Sequence, residues 1–172
     1  MNRITYEPIG IIHSQFKDTR GTPIQSAGAV GSQGTVEVFP KYVDGLEGIE
    51  GFSHIILIYH FHLCKTFSLR VTPYLDNKLH GVFATRAPAR PNSIGISVVR
   101  LVKVENGILR IQDLDIADGT PLLDVKPYLP QVDVHNVEKI GWLKENVDKL
   151  ASTKDDGRFT VGPLSYEVFS KI

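Results

Sequence analysis

Ile96-Ser97-Val98-Val99-Arg100-Leu101-Val102-Lys103-Val104-Glu105-Asn106-Gly107-Ile108-Leu109-Arg110-Ile111 is the stretch that decides the fold. Its first half is apolar and β-branched, the composition that fits a pleated, half-buried strand. Asn106-Gly107 then gives the strongest short hairpin signal, because both central positions of a type I′ turn require positive φ. Ile108 to Ile111 returns as the second strand, and Arg100 and Arg110 fit the solvent face of the pair. A lone hairpin is marginal in water, so more strands must flank it.

Upstream, Ser53 to His62 reads as the strongest of them. Ile55, Leu57 and Tyr59 alternate with Ile56, Ile58 and His60, and the run is apolar on both faces as far as Ile58, which predicts a central, covered strand. His54, His60 and His62 share one parity and so one face. Imidazoles suit zinc, copper or iron, but at about 3.3 Å per residue His54 stands roughly 20 Å from His60, so no metal site is expected. Arg3 to His13 begins with a β-favouring run whose Pro8 belongs at an edge. Thr35 to Phe39 is a further strand, and Phe67 to Pro73 and Leu79 to Ala84 are short ones joined by the turn Asp76-Asn77-Lys78. Asp113-Leu114-Asp115-Ile116-Ala117-Asp118 alternates, placing three carboxylates on one face, either solvated or able to hold a hard cation. Only one segment has a helical period: Ile140, Leu143, Val147 and Leu150, with Trp142 beside them, predict a helix over about 137–151. Many short strands, hairpin turns and one helix near the C-terminal third predict a mainly β, single-domain barrel, since closure removes exposed edges. The tail from Phe159 to Ile172 is a last strand or an interaction arm.

The chain of 172 residues has the length of one domain, and that size buries about two-thirds of the unfolded surface. No apolar run reaches the ~18 residues of a membrane span, the start has no signal-peptide core, and a single cysteine, Cys64, rules out an internal disulfide. A cytoplasmic protein is expected. Formal net charge is +0, yet the charges are segregated. Between Cys64 and Ile111, Lys65, Arg70, Lys78, Arg86, Arg90, Arg100, Lys103 and Arg110 face only Asp76 and Glu105, whereas from Gln112 to Asp156 acidic residues outnumber lysines. A neutral total thus conceals a basic face of the kind a phosphate backbone attracts.

Gly81 to Ser97 combines features that core packing does not ask for. Arg86 and Arg90 are each followed closely by proline, which leaves a stiff cationic loop on which an anion binds at low ordering cost. Asn92, Ser93 and Gly95 add hydrogen-bonding groups and one position of close backbone approach. Lys126-Pro127-Tyr128 repeats the device with a cation and an aromatic, and Gly119-Thr120-Pro121 turns the chain sharply. The glycine triplets at 28, 31, 34 and 45, 48, 51 lack the spacing of a dinucleotide fingerprint.

Arg86 to Ser97, taken with Asp118-Gly119-Thr120-Pro121-Leu122-Leu123-Asp124-Val125-Lys126-Pro127-Tyr128 and Gly51-Phe52-Ser53-His54, closely resembles the TsaA-like (TrmO) family of S-adenosylmethionine-dependent tRNA methyltransferases. The resemblance runs through a core of about 3–130 and implies a β-barrel outside the usual methyltransferase folds, acting as a homodimer on the anticodon stem-loop of tRNA. The implied reaction is N6-methylation of threonylcarbamoyladenosine. Carried over residue by residue, the cofactor contacts are Pro23, Gln25, Phe61, His62, Arg86, Ile96, Gly119, Thr120, Pro121 and Leu122, with Arg86 on the methionyl carboxylate. Arg90, Asn92, Lys126 and Tyr128 are assigned to the RNA, and Asp118 is the candidate general base. Two positions depart from the family pattern: Ile24 stands where an arginine is common, and Ser93 where many relatives have proline. Larger relatives carry a C-terminal extension for which this chain has no room. The residues themselves also admit a non-catalytic RNA-binding barrel, or a metal-dependent hydrolase built on His60 and His62.

Overall fold

The computed structural model describes residues 3–160. Its strands are β1 (Gly10–Ser14), β2 (Gln33–Val38), β3 (His54–His60), β4 (Arg70–Val71), β5 (His80–Gly81), β6 (Ile94–Glu105), β7 (Ile108–Gln112) and β8 (Thr120–Pro127). Six of them close into a barrel in the order β1-β2-β7-β6-β3-β8, with every neighbouring pair antiparallel. β4 and β5 form a separate two-stranded ribbon. The hairpin that predicted the fold joins β6 to β7, and its turn residues Asn106 and Gly107 take φ of 51° and 78°, as a type I′ turn demands. A shift in register between Leu101 and Lys103 bends β6, which helps a short-stranded sheet to close.

The period-2 pattern of the strands fills the barrel. Ile12, Val36, Ile55, Leu57, Val99, Leu109, Ile111 and Leu122 are essentially sealed from solvent, joined by Leu114 and Ile116 from the β7–β8 connection. Truncating such a side chain to alanine costs about 2–5 kcal/mol, depending on how far the cavity collapses. The outward residues of β3, Ile56 and Ile58, are half-buried, so the central strand is covered on one face and partly on the other. A second, smaller cluster of Cys64, Val71, Val82, Ala87 and Ala89, with Phe61 and Phe159 against it, packs beneath the arginine loop and anchors it beside the barrel.

Three expectations are corrected. The helical pattern over 137–151 is two 3₁₀ turns, Gly141–Glu145 and Val147–Lys149, and the α-helical turn α1 (Pro130–Asp133) lies earlier. Gly141 at φ 60° and Asn146 at φ −129° break the helix, and the apolar residues Trp142, Leu143 and Leu150 line a cleft instead of an α-helical seam. The two short strands shrink to β4 and β5, with a 3₁₀ turn at Val82–Ala84. The acidic run is not a strand: Asp113 has φ 65°, its carboxylate accepts from Gly31 N, Asp118 accepts from Ser14 N, and Asp115 bonds Ser97, so the three carboxylates diverge. Most of the C-terminal tail, 161–172, lies outside the described residues.

Candidate functional site

A cleft of about 640 Å³ opens where β3 leaves the barrel and β6 enters it. Its floor is the barrel end: Tyr59, Phe61 and His62 from β3 and just beyond, Gly95 and Ile96 from β6, and Thr120 at the head of β8. Gly95 pairs with Tyr59, and a Cβ there would collide with the Tyr59 and Phe61 rings, so the close approach requires glycine. The rim is the arginine loop together with the 22–25 loop, and the far wall is Trp142, Leu143, Leu150, Asp155 and Phe159. Hydrogen bonds from Gly21 N to Asp155 O (2.7 Å), Asp155 N to Thr22 O (2.8 Å) and Ile24 N to Thr153 O (3.4 Å) hold that wall to the loop.

The loop arginines have different duties. Arg86 is exposed on the rim, where its Nη1 donates to Gln25 Oε1 at 2.7 Å and fixes the guanidinium without neutralising it. Arg90 is half-buried, and its Nη1 donates to the carbonyls of Thr85 (2.9 Å), Val82 (3.1 Å) and Ala87 (3.4 Å), so it staples the loop. Thr120 Oγ1 donates to Ala117 O at 2.7 Å, which leaves it to accept from His62 Nδ1 at 3.2 Å. Burial, with Lys65 and His60 nearby, pushes His62 below the usual imidazole range and so favours the neutral ring. Tyr59 Oη lies 3.1 Å from Ser97 Oγ, which donates to Asp115 Oδ1 at 2.7 Å. Burial raises the Asp115 carboxyl above its ordinary range despite the Ser97 hydrogen bond, and burial aided by Asp115 raises the Tyr59 phenol.

Of the residues expected at the cofactor, the fold gathers Pro23, Gln25, Phe61, His62, Arg86, Ile96 and Thr120 around this cleft. Leu122 is sealed in the barrel core, Pro121 pairs with Ile11 on the barrel wall, and Gly119 is the exposed turn at φ 73°. Asp118 lies outside the cleft, in a shallower groove with His13 and Lys17; its Oδ2 is 2.6 Å from Lys17 Nζ, and that hydrogen bond, with the one from Ser14 N, holds its pKa down. Such a carboxylate is a poor base. Asn92 is exposed at the end of the arginine loop. Lys126, paired with Asp124 at 2.8 Å, and Tyr128, edge-on to His54, sit at the opposite end of β8, about 20 Å from Thr120 at ~3.3 Å per residue. Among the described residues no group of three or more His, Cys, Asp or Glu is placed to hold a metal, and His60 points to solvent while His62 turns to Thr120.

Sequence reasoning treats Asp115 only as one of three carboxylates on a shared face and Trp142 only as part of a helix, and gives neither of them, nor Ser97, a place at the cleft. Asp115 had a readable signal, a carboxylate between Leu114 and Ile116, which are both sealed in the core. Trp142 had none, because its partners Ala84 and His80 are distant in sequence.

Comparison with known proteins places these features in context. The model for the tRNA-methyltransferase O N-terminal domain matches residues 11–134. A probable S-adenosyl-L-methionine-binding protein of Pyrococcus abyssi is 62% identical over 156 residues, covering 91% of this chain and 85% of that protein. The tRNA (adenine(37)-N6)-methyltransferase of Escherichia coli is 38% identical over 140 residues, covering 76% of this chain and 60% of the enzyme. The crystal structure of TrmO from Pseudomonas aeruginosa superposes with a TM-score of 0.69 at 39% identity, covering 82% of this chain and 63% of that one. The chain thus spans nearly the whole archaeal relative and about three-fifths of the bacterial ones.

Proposed function

The chain belongs to the tRNA-methyltransferase O N-terminal domain family, and from that premise we infer that it is a tRNA adenine-N6-methyltransferase using S-adenosylmethionine. The finer reading is that its acceptor is threonylcarbamoyladenosine beside the anticodon, presented by a homodimer in the cytoplasm.

The chemistry of the cleft fits the methyl donor. Its volume of about 640 Å³ falls within the ~300–1,000 Å³ of small-molecule sites. Arg86 offers a guanidinium for bidentate capture of the methionyl carboxylate, and Phe61, Ile96 and Leu143 offer apolar wall for the adenine. When bound, S-adenosylmethionine supplies a sulfonium methyl already activated for in-line displacement, so alignment and exclusion of water matter most. Gln25 sets the aim of Arg86, Thr120 sets the tautomer of His62, and Trp142 and Phe159 close the wall against solvent.

For the RNA, Asn92 is exposed beside the cleft, and Lys126 and Tyr128 provide a cation and an aromatic further along β8. Arg90, committed to three carbonyls, is withdrawn from that set. An anticodon loop presents unstacked bases, so extruding one costs little. Exposed apolar side chains near the cleft mouth, Phe83 at 74%, Ile96 at 50% and Ile94 at 40%, support a face covered by a second copy. No described helix is long and apolar enough to cross a membrane.

The observation that carries this reading is the Arg86–Gln25 pair on the rim of a predominantly apolar cleft. Calorimetry with S-adenosylmethionine, followed by methyl transfer to tRNA with and without the threonylcarbamoyl group, tests it; light scattering tests the dimer. A folded protein that binds no donor refutes the enzyme reading. Equal transfer to both tRNAs refutes the finer substrate.

A further inference from the structure

Asp115 is a carboxylate with an unusual setting. Leu114 and Ile116 on either side are 0% and 3% exposed, so the core fixes its backbone. Ser97 Oγ, itself in a residue only 4% exposed, donates to Oδ1 at 2.7 Å and is backed by the Tyr59 hydroxyl at 3.1 Å. Asp115 lines the cleft, yet among the described residues it forms no ion pair, and Ser97 is the one other residue whose side chain bonds it. A purely structural buried carboxylate is normally paired or multiply hydrogen-bonded. This one, half-buried at the cleft, accepts from its own backbone N–H and from Ser97 and is aligned by a relay of two hydroxyls.

We propose that Asp115 is the proton acceptor of the methyl transfer, with Ser97 and Tyr59 as its positioning residues. The proposal rests on the methyl-transfer reading of the cleft. As the N6–methyl bond forms, the methyl–sulfur bond breaks with its electron pair left on sulfur, and the N6 proton passes to the Asp115 carboxylate. Positive charge grows on the nitrogen during that step, so a carboxylate beside it binds the transition state better than the ground state. A carboxylate against the sulfonium would do the reverse, because charge leaves sulfur as the methyl departs. Burial that raises its proton affinity brings the group nearer to what a base needs at neutral pH. The other titratable groups around the cleft are Tyr59 and His62 from β3 and its end, Cys64 and Tyr74 from the following loop, Arg86 and Arg90 from the arginine loop, and Asp155 from the far wall.

Wild type, Asp115→Asn and Ser97→Ala should be compared in two measurements: calorimetry with S-adenosylhomocysteine, and single-turnover transfer to tRNA from acid to mildly alkaline pH. Asp115→Asn is isosteric and should bind S-adenosylhomocysteine as wild type does, while transfer falls by about 10²–10⁴-fold, the usual worth of a general base. The wild-type rate should rise with pH as Asp115 ionises. Ser97→Ala removes a hydrogen bond that favours the charged carboxylate, so its acid limb should move to higher pH with donor affinity unchanged, an effect a merely structural serine would not produce. Asp115→Asn that loses S-adenosylhomocysteine but keeps its rate at saturation makes Asp115 a donor ligand and overturns the proposal. Asp115→Asn that is fully active beside an active wild type places the base elsewhere and overturns the proposal alone. A wild-type protein that binds S-adenosylhomocysteine but methylates no tRNA overturns the methyl-transfer reading, and the proposal with it.

Discussion

Arg90→Ala should unfold at a lower temperature than wild type and Arg86→Ala should not, although the two residues share one short loop. Arg90 Nη1 serves three carbonyls, at 2.9, 3.1 and 3.4 Å, on Thr85, Val82 and Ala87, residues that are all buried. Truncation leaves Thr85 O without a partner and costs Ala87 O its longer contact, whereas Val82 O still accepts from Thr85 N at 3.1 Å and Thr85 Oγ1 at 2.9 Å; an orphaned acceptor costs about 1–3 kcal/mol, reduced where water enters the half-vacated site. A net loss of about 1–3 kcal/mol follows, and for a chain of this size each kcal/mol moves Tm by about 2–4 °C, so a fall of about 2–12 °C is expected. Arg86 is exposed and makes one hydrogen bond to another side chain; its removal should change stability by no more than about 0.5 kcal/mol. Its cost appears in binding instead, where losing a bidentate carboxylate contact worth about 2–3 kcal/mol weakens donor affinity about 30- to 150-fold. Thermal unfolding by circular dichroism and calorimetry with S-adenosylhomocysteine, run on both variants, separate the two effects. An Arg90→Ala protein with wild-type Tm would refute the staple, and an Arg86→Ala protein with wild-type affinity would refute the rim contact.

Gly95→Ala should lower Tm, because its methyl must displace the Tyr59 and Phe61 rings, a strain of about 1–3 kcal/mol; donor affinity should fall with it, and an unchanged protein would mean the rings yield freely. Trp142→Ala removes a ring that stacks on His80 at 4.7 Å and donates to Ala84 O at 2.8 Å. It should weaken S-adenosylhomocysteine binding while leaving the barrel melt nearly intact, whereas an equally large loss of Tm would make the wall part of the folding core. Asp115→Asn should be more stable than wild type at neutral pH. A carboxyl whose pKa is raised in the folded state binds its proton more tightly there, so its contribution to stability falls as pH rises from the unfolded value through the folded one. The advantage of asparagine should therefore vanish on acidification, and urea melts at neutral and acid pH that show a constant difference would contradict the assignment.

The barrel was legible because its determinants are local. Asn106-Gly107 states its own dihedral angles, and the alternation through Ile55, Leu57 and Tyr59 states which face is inside. The helix over 137–151 failed because a period of apolar residues records burial without saying against what: Trp142, Leu143 and Leu150 answer to the cleft. The acidic run failed for a related reason, since alternation cannot be told from three unrelated loop positions when Asp113 adopts φ 65°. Arg86 and Arg90 look equivalent as sequence, and only the third dimension sends one outward to Gln25 and folds the other back on its own loop. Asp118 drew attention as part of a recognisable motif, yet the turn at Gly119 leaves its carboxylate with Lys17 on the barrel's outer side.

The family match ends at residue 134, whereas Trp142, Leu143, Leu150, Asp155 and Phe159 all line the cleft. The segment that bears them also reaches the rim: Thr153 and Asp155 bond the 21–24 backbone, and Pro23 bridges to Lys154. Gln25 follows directly on that bridge and holds Arg86. The loop that carries Gln25 is therefore tied down by residues beyond the matched domain, through a backbone contact that carries no side-chain signature. A disturbance confined to 153–155 should weaken donor capture with every matched residue intact, because a rim loop released from its bridge regains conformational entropy that binding must then remove.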